Sequence, residues 1–298
     1  MKGIENEQEV IAGLVQWGEE RESVRAILLT STRARPGVPV DLFSDYDVIL
    51  AVTDIRPFYE DRTWLWDFGQ VLVVYRDPVR IDHGLERFAY ITQYADSTKI
   101  DFSIFSSEIL REVAQDSELS DELDVGYKVL LDKDRLTDGL KPPSYKAYVP
   151  KPPTEAVYRN LVEEFFHEAT YVAKHLWRDD LMPAKYNLDY AMKHNNMRPM
   201  LEWRMEIEHN WSAKTGAYGK GLKKQLSPEV WSDLEATYVG AGIEENWVAL
   251  FKTLDVFRRV AIEVGERLGY QYPCELDRSV TEYMQKVRKL GPQAVVFA

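Results

Sequence analysis

Asp45 and Asp47 are the residues whose type and spacing most directly suggest chemistry. They open the segment Asp45-Tyr46-Asp47, which runs straight into the apolar stretch Val48-Ile49-Leu50-Ala51-Val52 and reads as the start of a strand. Side chains alternate along a strand, so both acids face the same way, with α-carbons about 6.6 Å apart. Two carboxylates that close repel each other unless water or a cation lies between them, and hard oxygen ligands suit Mg²⁺. A third acid, Asp101, stands among apolar neighbours in Lys99-Ile100-Asp101-Phe102-Ser103-Ile104-Phe105, a second strand candidate. Placed side by side, the two strands would bring three carboxylates together. Such a set can hold two metal ions about 3.5–4 Å apart, one activating an attacking hydroxyl and one steadying phosphates and a leaving group.

A polar turn completes this constellation. Ser31-Thr32-Arg33 follows the short apolar strand Arg25-Ala26-Ile27-Leu28-Leu29-Thr30 and precedes Asp45 by fourteen residues, counted from Ser31. Its hydroxyls and backbone N–H groups suit phosphate oxygens, and Arg33 adds a cation beside them. The chemistry this arrangement suits is nucleotidyl transfer.

These groups need a scaffold, and the first half of the chain supplies one. Residues 6–22 keep apolar side chains at helical spacing, with Val10, Ile11, Leu14, Val15 and Trp17 on one stripe. Besides the strands already named, 71–75, 86–94 and 127–131 carry strand patterns. Pro142, Pro143, Pro150, Pro152 and Pro153 then crowd together, and proline neither donates to a ladder nor sits inside a helix. Beyond them the period changes: Tyr158 to Trp177 and Trp247 to Leu268 each carry one apolar helical face, the latter stopped by Gly269. The expected fold is α+β: a mixed sheet with flanking helices in residues 1–140, a proline-rich linker at 141–153, and an all-α helical bundle over 154–298.

Composition narrows the classes. The 298 residues carry 37 Lys and Arg against 49 Asp and Glu, a net charge of −12, which argues against coating nucleic acid or anionic lipid and favours a cationic partner. One cysteine, Cys274, rules out an intrachain disulfide and makes a cysteine zinc site implausible. None of the five histidines forms the His-x-x-x-His pair that sets two imidazoles on one helical turn. No uncharged apolar run approaches the roughly 18 residues needed to span a bilayer, and the acidic first residues lack a secretory pattern, so the expected location is the cytoplasm. Phosphate-loop, dinucleotide and nucleophile-elbow motifs are missing as well.

Ser31-Thr32-Arg33 followed by Val38-Pro39-Val40-Asp41-Leu42-Phe43-Ser44-Asp45-Tyr46-Asp47 resembles the nucleotidyltransferase signature of the bacterial aminoglycoside 6-adenylyltransferases, which modify streptomycin. The likeness continues through Trp64-Leu65-Trp66-Asp67-Phe68-Gly69, Tyr127-Lys128-Val129-Leu130-Leu131-Asp132, Tyr171-Val172-Ala173-Lys174-His175-Leu176-Trp177, Ala184-Lys185-Tyr186-Asn187-Leu188-Asp189 and Leu201-Glu202-Trp203. It implies a nucleotidyltransferase-fold catalytic domain whose cleft the helical domain completes, and transfer of AMP from MgATP to a hydroxyl of an aminoglycoside. It further implies that Asp45 and Asp47 hold the metal and that Asp101 is either a further ligand or the base for the acceptor hydroxyl. Ser31, Thr32 and Arg33 would touch the triphosphate, and Lys185 would reach the nucleotide. The family turn begins Gly-Ser where this chain has Ser31-Thr32; serine resists backbone geometry that glycine allows, which predicts weaker ATP binding. For a guanidinium-bearing acceptor the candidates are carboxylates and an aromatic face: Glu164 and Glu168 at helical spacing, and Trp203 beside Glu202.

Overall fold

The computed structural model describes residues 2–213, 216–291 and 293–297. The chain divides into two compact units, Met1–Ala147 and Tyr148–Ala298.

The first unit is built on a sheet of seven strands: β1 (Val24–Thr30), β2 (Tyr46–Val52), β3 (Val71–Arg76), β4 (Arg80–Asp82), β5 (Leu85–Tyr94), β6 (Lys99–Ser106) and β7 (Tyr127–Asp132). The order is β3-β5-β6-β2-β1-β7, with β4 paired to β5 alone. β2 and β6 run parallel and the other pairs antiparallel. Every strand read from the sequence is present. β4 was not foreseen, since its three residues are too few to carry a period.

Both faces of the central strands are covered, which is why β1 and β2 read as continuous apolar runs. On one face Tyr46, Val48, Leu50 and Val52 pack with Leu14 and Trp17 of α1 (Lys2–Glu19) and with Phe58, Leu65 and Phe102. On the other, Ile49, Ala51 and Phe105 pack with Ala26, Leu28, Ile109, Leu110 and Val113. The last three come from an amphipathic helix whose N-cap, Ser106, accepts from the Ile109 N–H.

The proline-rich segment has no helix or strand between Leu140 and Thr154. It is not a free tether throughout, because Asp124 accepts from the backbone N–H groups of Ser144 (2.6 Å) and Ala147 (2.9 Å) and from the Ser144 hydroxyl (2.8 Å). Burial pushes the Asp124 carboxyl up, yet these bonds outweigh it and hold it below the usual range. Residues 141–147, expected in the linker, therefore belong to the first compact unit.

The second unit is helical. Its long members are α2 (Glu155–Trp177) and α3 (Ile243–Leu268), the latter ending at Gly269 with φ +76°. Phe165 of α2 stacks on Phe257 of α3 at 3.6 Å between centroids, and the Tyr158 hydroxyl donates to the Ala261 carbonyl at 2.8 Å. Between Tyr186 and Met197 the backbone winds as a π-helix, a rare form that frequently marks functional sites. Among the described residues no helix is long and apolar enough to cross a membrane.

Candidate active site

Sheet topology brings the acids together. The parallel pairing of β2 and β6 sets Asp47 directly opposite Asp101, and the antiparallel pairing of β1 with β2 sets Thr30 opposite Asp47. The start of β2, the start of β6 and the end of β1 thus lie along one edge. Asp45 and Asp47 continue the row of Ile49 and Ala51, and Asp101 that of Ser103 and Phe105, so the acids extend the face that buries the second apolar cluster.

The acids do not stand alone. Lys99, two residues before Asp101 on the same face of β6, donates to Asp45 Oδ2 and to Asp101 Oδ2, both at 2.7 Å. Asp47 makes no such pair. Burial, and then the like charges of Asp101 and Asp45, push its carboxyl up to about 6 against the opposing Ser31 hydroxyl and Lys99. Burial also raises Asp101, with Asp45 adding to it and Lys99 opposing. Lys99 is itself raised: desolvation acts to lower it, but its bonds to the two acids prevail. The sequence carried a usable sign of Lys99, its i,i+2 spacing from a buried acid, and that sign was missed.

Among the described residues no three His, Cys, Asp or Glu side chains are already gathered as a cation cage. The ammonium of Lys99 occupies the position between Asp45 and Asp101 instead. The donor set nonetheless fits a divalent cation: its oxygens are hard, and Asp101 Oδ1 is buried with no hydrogen-bond partner.

Ser31, Thr32 and Arg33 form a single helical turn, Ser31–Ala34, immediately after β1. Ser31 sits at φ +62°, the left-handed region that favours glycine. The turn is pinned from below. The Ser31 N–H donates to the Gly126 carbonyl at 3.0 Å, and Lys128 Nζ donates to the Arg33 carbonyl at 2.8 Å.

Arg33 is only 8% exposed. Its guanidinium donates to the carbonyls of Ser44 (2.8 Å) and Asp45 (3.2 Å), pairs with Glu7 at 2.9 Å, and stacks on Tyr46 at 3.8 Å. With its donors so engaged, Arg33 positions the backbone at Asp45 where the sequence suggested a direct phosphate contact.

The candidates of the second unit occupy varied settings. Lys185 Nζ pairs with Asp189 at 2.6 Å and donates to the Val239 carbonyl at 3.0 Å. Lys193, only 2% exposed, bonds the other Asp189 oxygen at 2.7 Å and the Thr237 carbonyl at 2.6 Å. Glu164 is exposed, whereas Glu168 accepts from Asn187 Nδ2 at 2.6 Å. Trp203 is 8% exposed and packs in the helical core, so its indole supports the fold; the expectation of an open stacking face does not hold there. Its flank Glu202 is held by both oxygens to Arg198 Nη1, at 2.8 and 2.9 Å.

Comparison with known proteins covers nearly the whole chain. The family model for streptomycin adenylyltransferase matches residues 4–287. An aminoglycoside 6-adenylyltransferase of Bacillus subtilis (strain 168) is 29% identical over 290 residues, 95% of this chain and 98% of that protein. One of Campylobacter jejuni is 26% identical over 288 residues, 96% and 97% of the two chains. A crystal structure of an aminoglycoside 6-adenyltransferase from Bacillus subtilis aligns over 95% of this chain and 99% of its own, at 27% identity and a TM-score of 0.47.

Proposed function

We propose, from the premise that this chain belongs to the streptomycin adenylyltransferase family, that it transfers AMP from MgATP to a hydroxyl of an aminoglycoside, with streptomycin as the acceptor and pyrophosphate as the other product. The observation that carries the reading is the direct opposition of Asp47 and Asp101 across a parallel strand pair, with Asp45 tied to Asp101 through Lys99.

Asp45 and Asp47 would hold the magnesium, and Asp101 is either a further ligand or the base for the acceptor hydroxyl. A divalent cation at such a site lowers the barrier by neutralising charge that develops on the phosphates. The chain's own groups do the rest. Ser31 and Thr32 present hydroxyls at the end of β1, where the triphosphate is read to lie, and Arg33 fixes the Asp45 backbone beside them. Lys185 is the residue assigned to the nucleotide in the second unit. The acceptor oxygen forms a bond to the α-phosphorus, the bond from that phosphorus to the bridging oxygen breaks, and pyrophosphate departs with the electron pair. As the base, Asp101 would take the hydroxyl proton: burial raises its proton affinity, and its Oδ1 has no competing donor. Glu164 and Glu168 are the carboxylates proposed for a guanidinium of the acceptor.

One observation favours a second reading. Ser31 at φ +62° carries a side chain where glycine is at ease, so the chain would serve as a nucleotide-binding relative with little or no transfer, or act on another acceptor. Incubation with MgATP and streptomycin, followed by mass spectrometry, separates them. An AMP adduct, absent with Asp47→Asn, supports transfer. ATP binding without an adduct on any aminoglycoside supports the alternative.

A further inference from the structure

Lys99 has no assigned role, yet among the described residues it is the one cation hydrogen-bonded to the acid set. It touches one oxygen each of Asp45 and Asp101 and leaves Asp47 and Asp101 Oδ1 without its proton donors. With all three acids ionised, its single positive charge leaves two negative charges over, the complement of one divalent cation. Two ammonium bonds of 2.7 Å also hold in place carboxylates that would otherwise repel.

We propose that Lys99 is a built-in counter-cation of the acid set, holding Asp45 and Asp101 in position until a divalent cation arrives and competing with that cation for the same two oxygens. The role rests on the metal-dependent reading above. A strongly hydrated ammonium on a flexible stem is easily displaced, unlike a planar bidentate guanidinium. Once displaced, Lys99 remains within a side chain's length of the acids as a free positive charge.

Competition predicts a gain where a merely structural lysine predicts a loss. Mn²⁺ uptake by the full chain without nucleotide, followed by electron paramagnetic resonance, is expected to tighten about tenfold in Lys99→Met, the scale set by removing a neighbouring like charge at a partly buried site. Equal or weaker uptake in Lys99→Met overturns the role. Should that variant fail to fold, the parent chain still decides the matter. Its ¹⁵N-lysine spectrum, with Lys99 assigned by the peak lost in Lys99→Arg, should show the Lys99 ammonium signal move when Mg²⁺ is added. A signal unmoved at saturating Mg²⁺ overturns the proposal. If Asp47→Asn takes up Mn²⁺ as well as the parent does, the metal reading itself fails; if Asp47→Asn loses uptake but Lys99→Met gains nothing, only the competition fails.

Discussion

Asp47 couples stability and function in opposite directions. Its carboxyl is pushed up to about 6, so between about pH 4 and 6 the folded chain binds more protons than the unfolded one. Stability attributable to this group is therefore full below about pH 4 and lost as pH rises through 6. Asp47→Asn removes the burdened charge. It should raise the melting temperature by the equivalent of about 1–2 kcal/mol at pH 7, a value discounted from the full shift because the group is not wholly buried, while abolishing AMP transfer. A lowered melting temperature would contradict the assigned cause. With Asp47 as a ligand, as proposed, the same protonation would oppose cation uptake, so divalent-ion affinity measured by titration calorimetry should fall steeply as pH drops through about 6. Ser31 offers a second test at this scale. Ser31→Gly relieves a strained backbone worth about 1–2 kcal/mol and should tighten ATP binding measured by calorimetry.

The elements explain why the site lies where it does. Strand ends are close because β2 and β6 are parallel while β1 returns antiparallel, and the turn after β1 is braced by Gly126 at the entrance to β7. Gly126 has φ +127°, and a Cβ there would lie 3.2 Å from Tyr145 and 3.5 Å from the Arg35 α-carbon. Gly126→Ala should therefore displace the Ser31 turn, costing about 1–3 kcal/mol in chemical denaturation and most of the AMP transfer. Much of this was legible in the sequence. Alternation placed Asp45 and Asp47 on one face, and the apolar company of Asp101 marked a strand. What escaped was whatever depends on pairing partners. The i,i+2 spacing of Lys99 and Asp101 is visible in the sequence, but the bond from Lys99 to Asp45, 54 residues away, is not. Arg33 looked like a phosphate ligand because nothing local shows that Glu7 and the Ser44 carbonyl claim its guanidinium. The π-helix at Tyr186–Met197 has ordinary helical composition, so nothing in its sequence separates it from an α-helix.

At the scale of the whole molecule, a net charge of −12 gives a field that draws cations from a distance. For a cationic acceptor, kcat/KM should fall as sodium chloride is raised and the screening length shrinks from about 10 Å at 0.1 M to about 3 Å at 1 M. A neutral acceptor or a flat salt profile would remove long-range attraction from the account. The hold of Asp124 on Ser144 and Ala147 has a practical meaning for anyone dividing the gene. A fragment stopped at codon 140 strips a half-embedded carboxylate of the amides that satisfy it, whereas one carried through codon 147 keeps them, and the longer fragment should melt at the higher temperature.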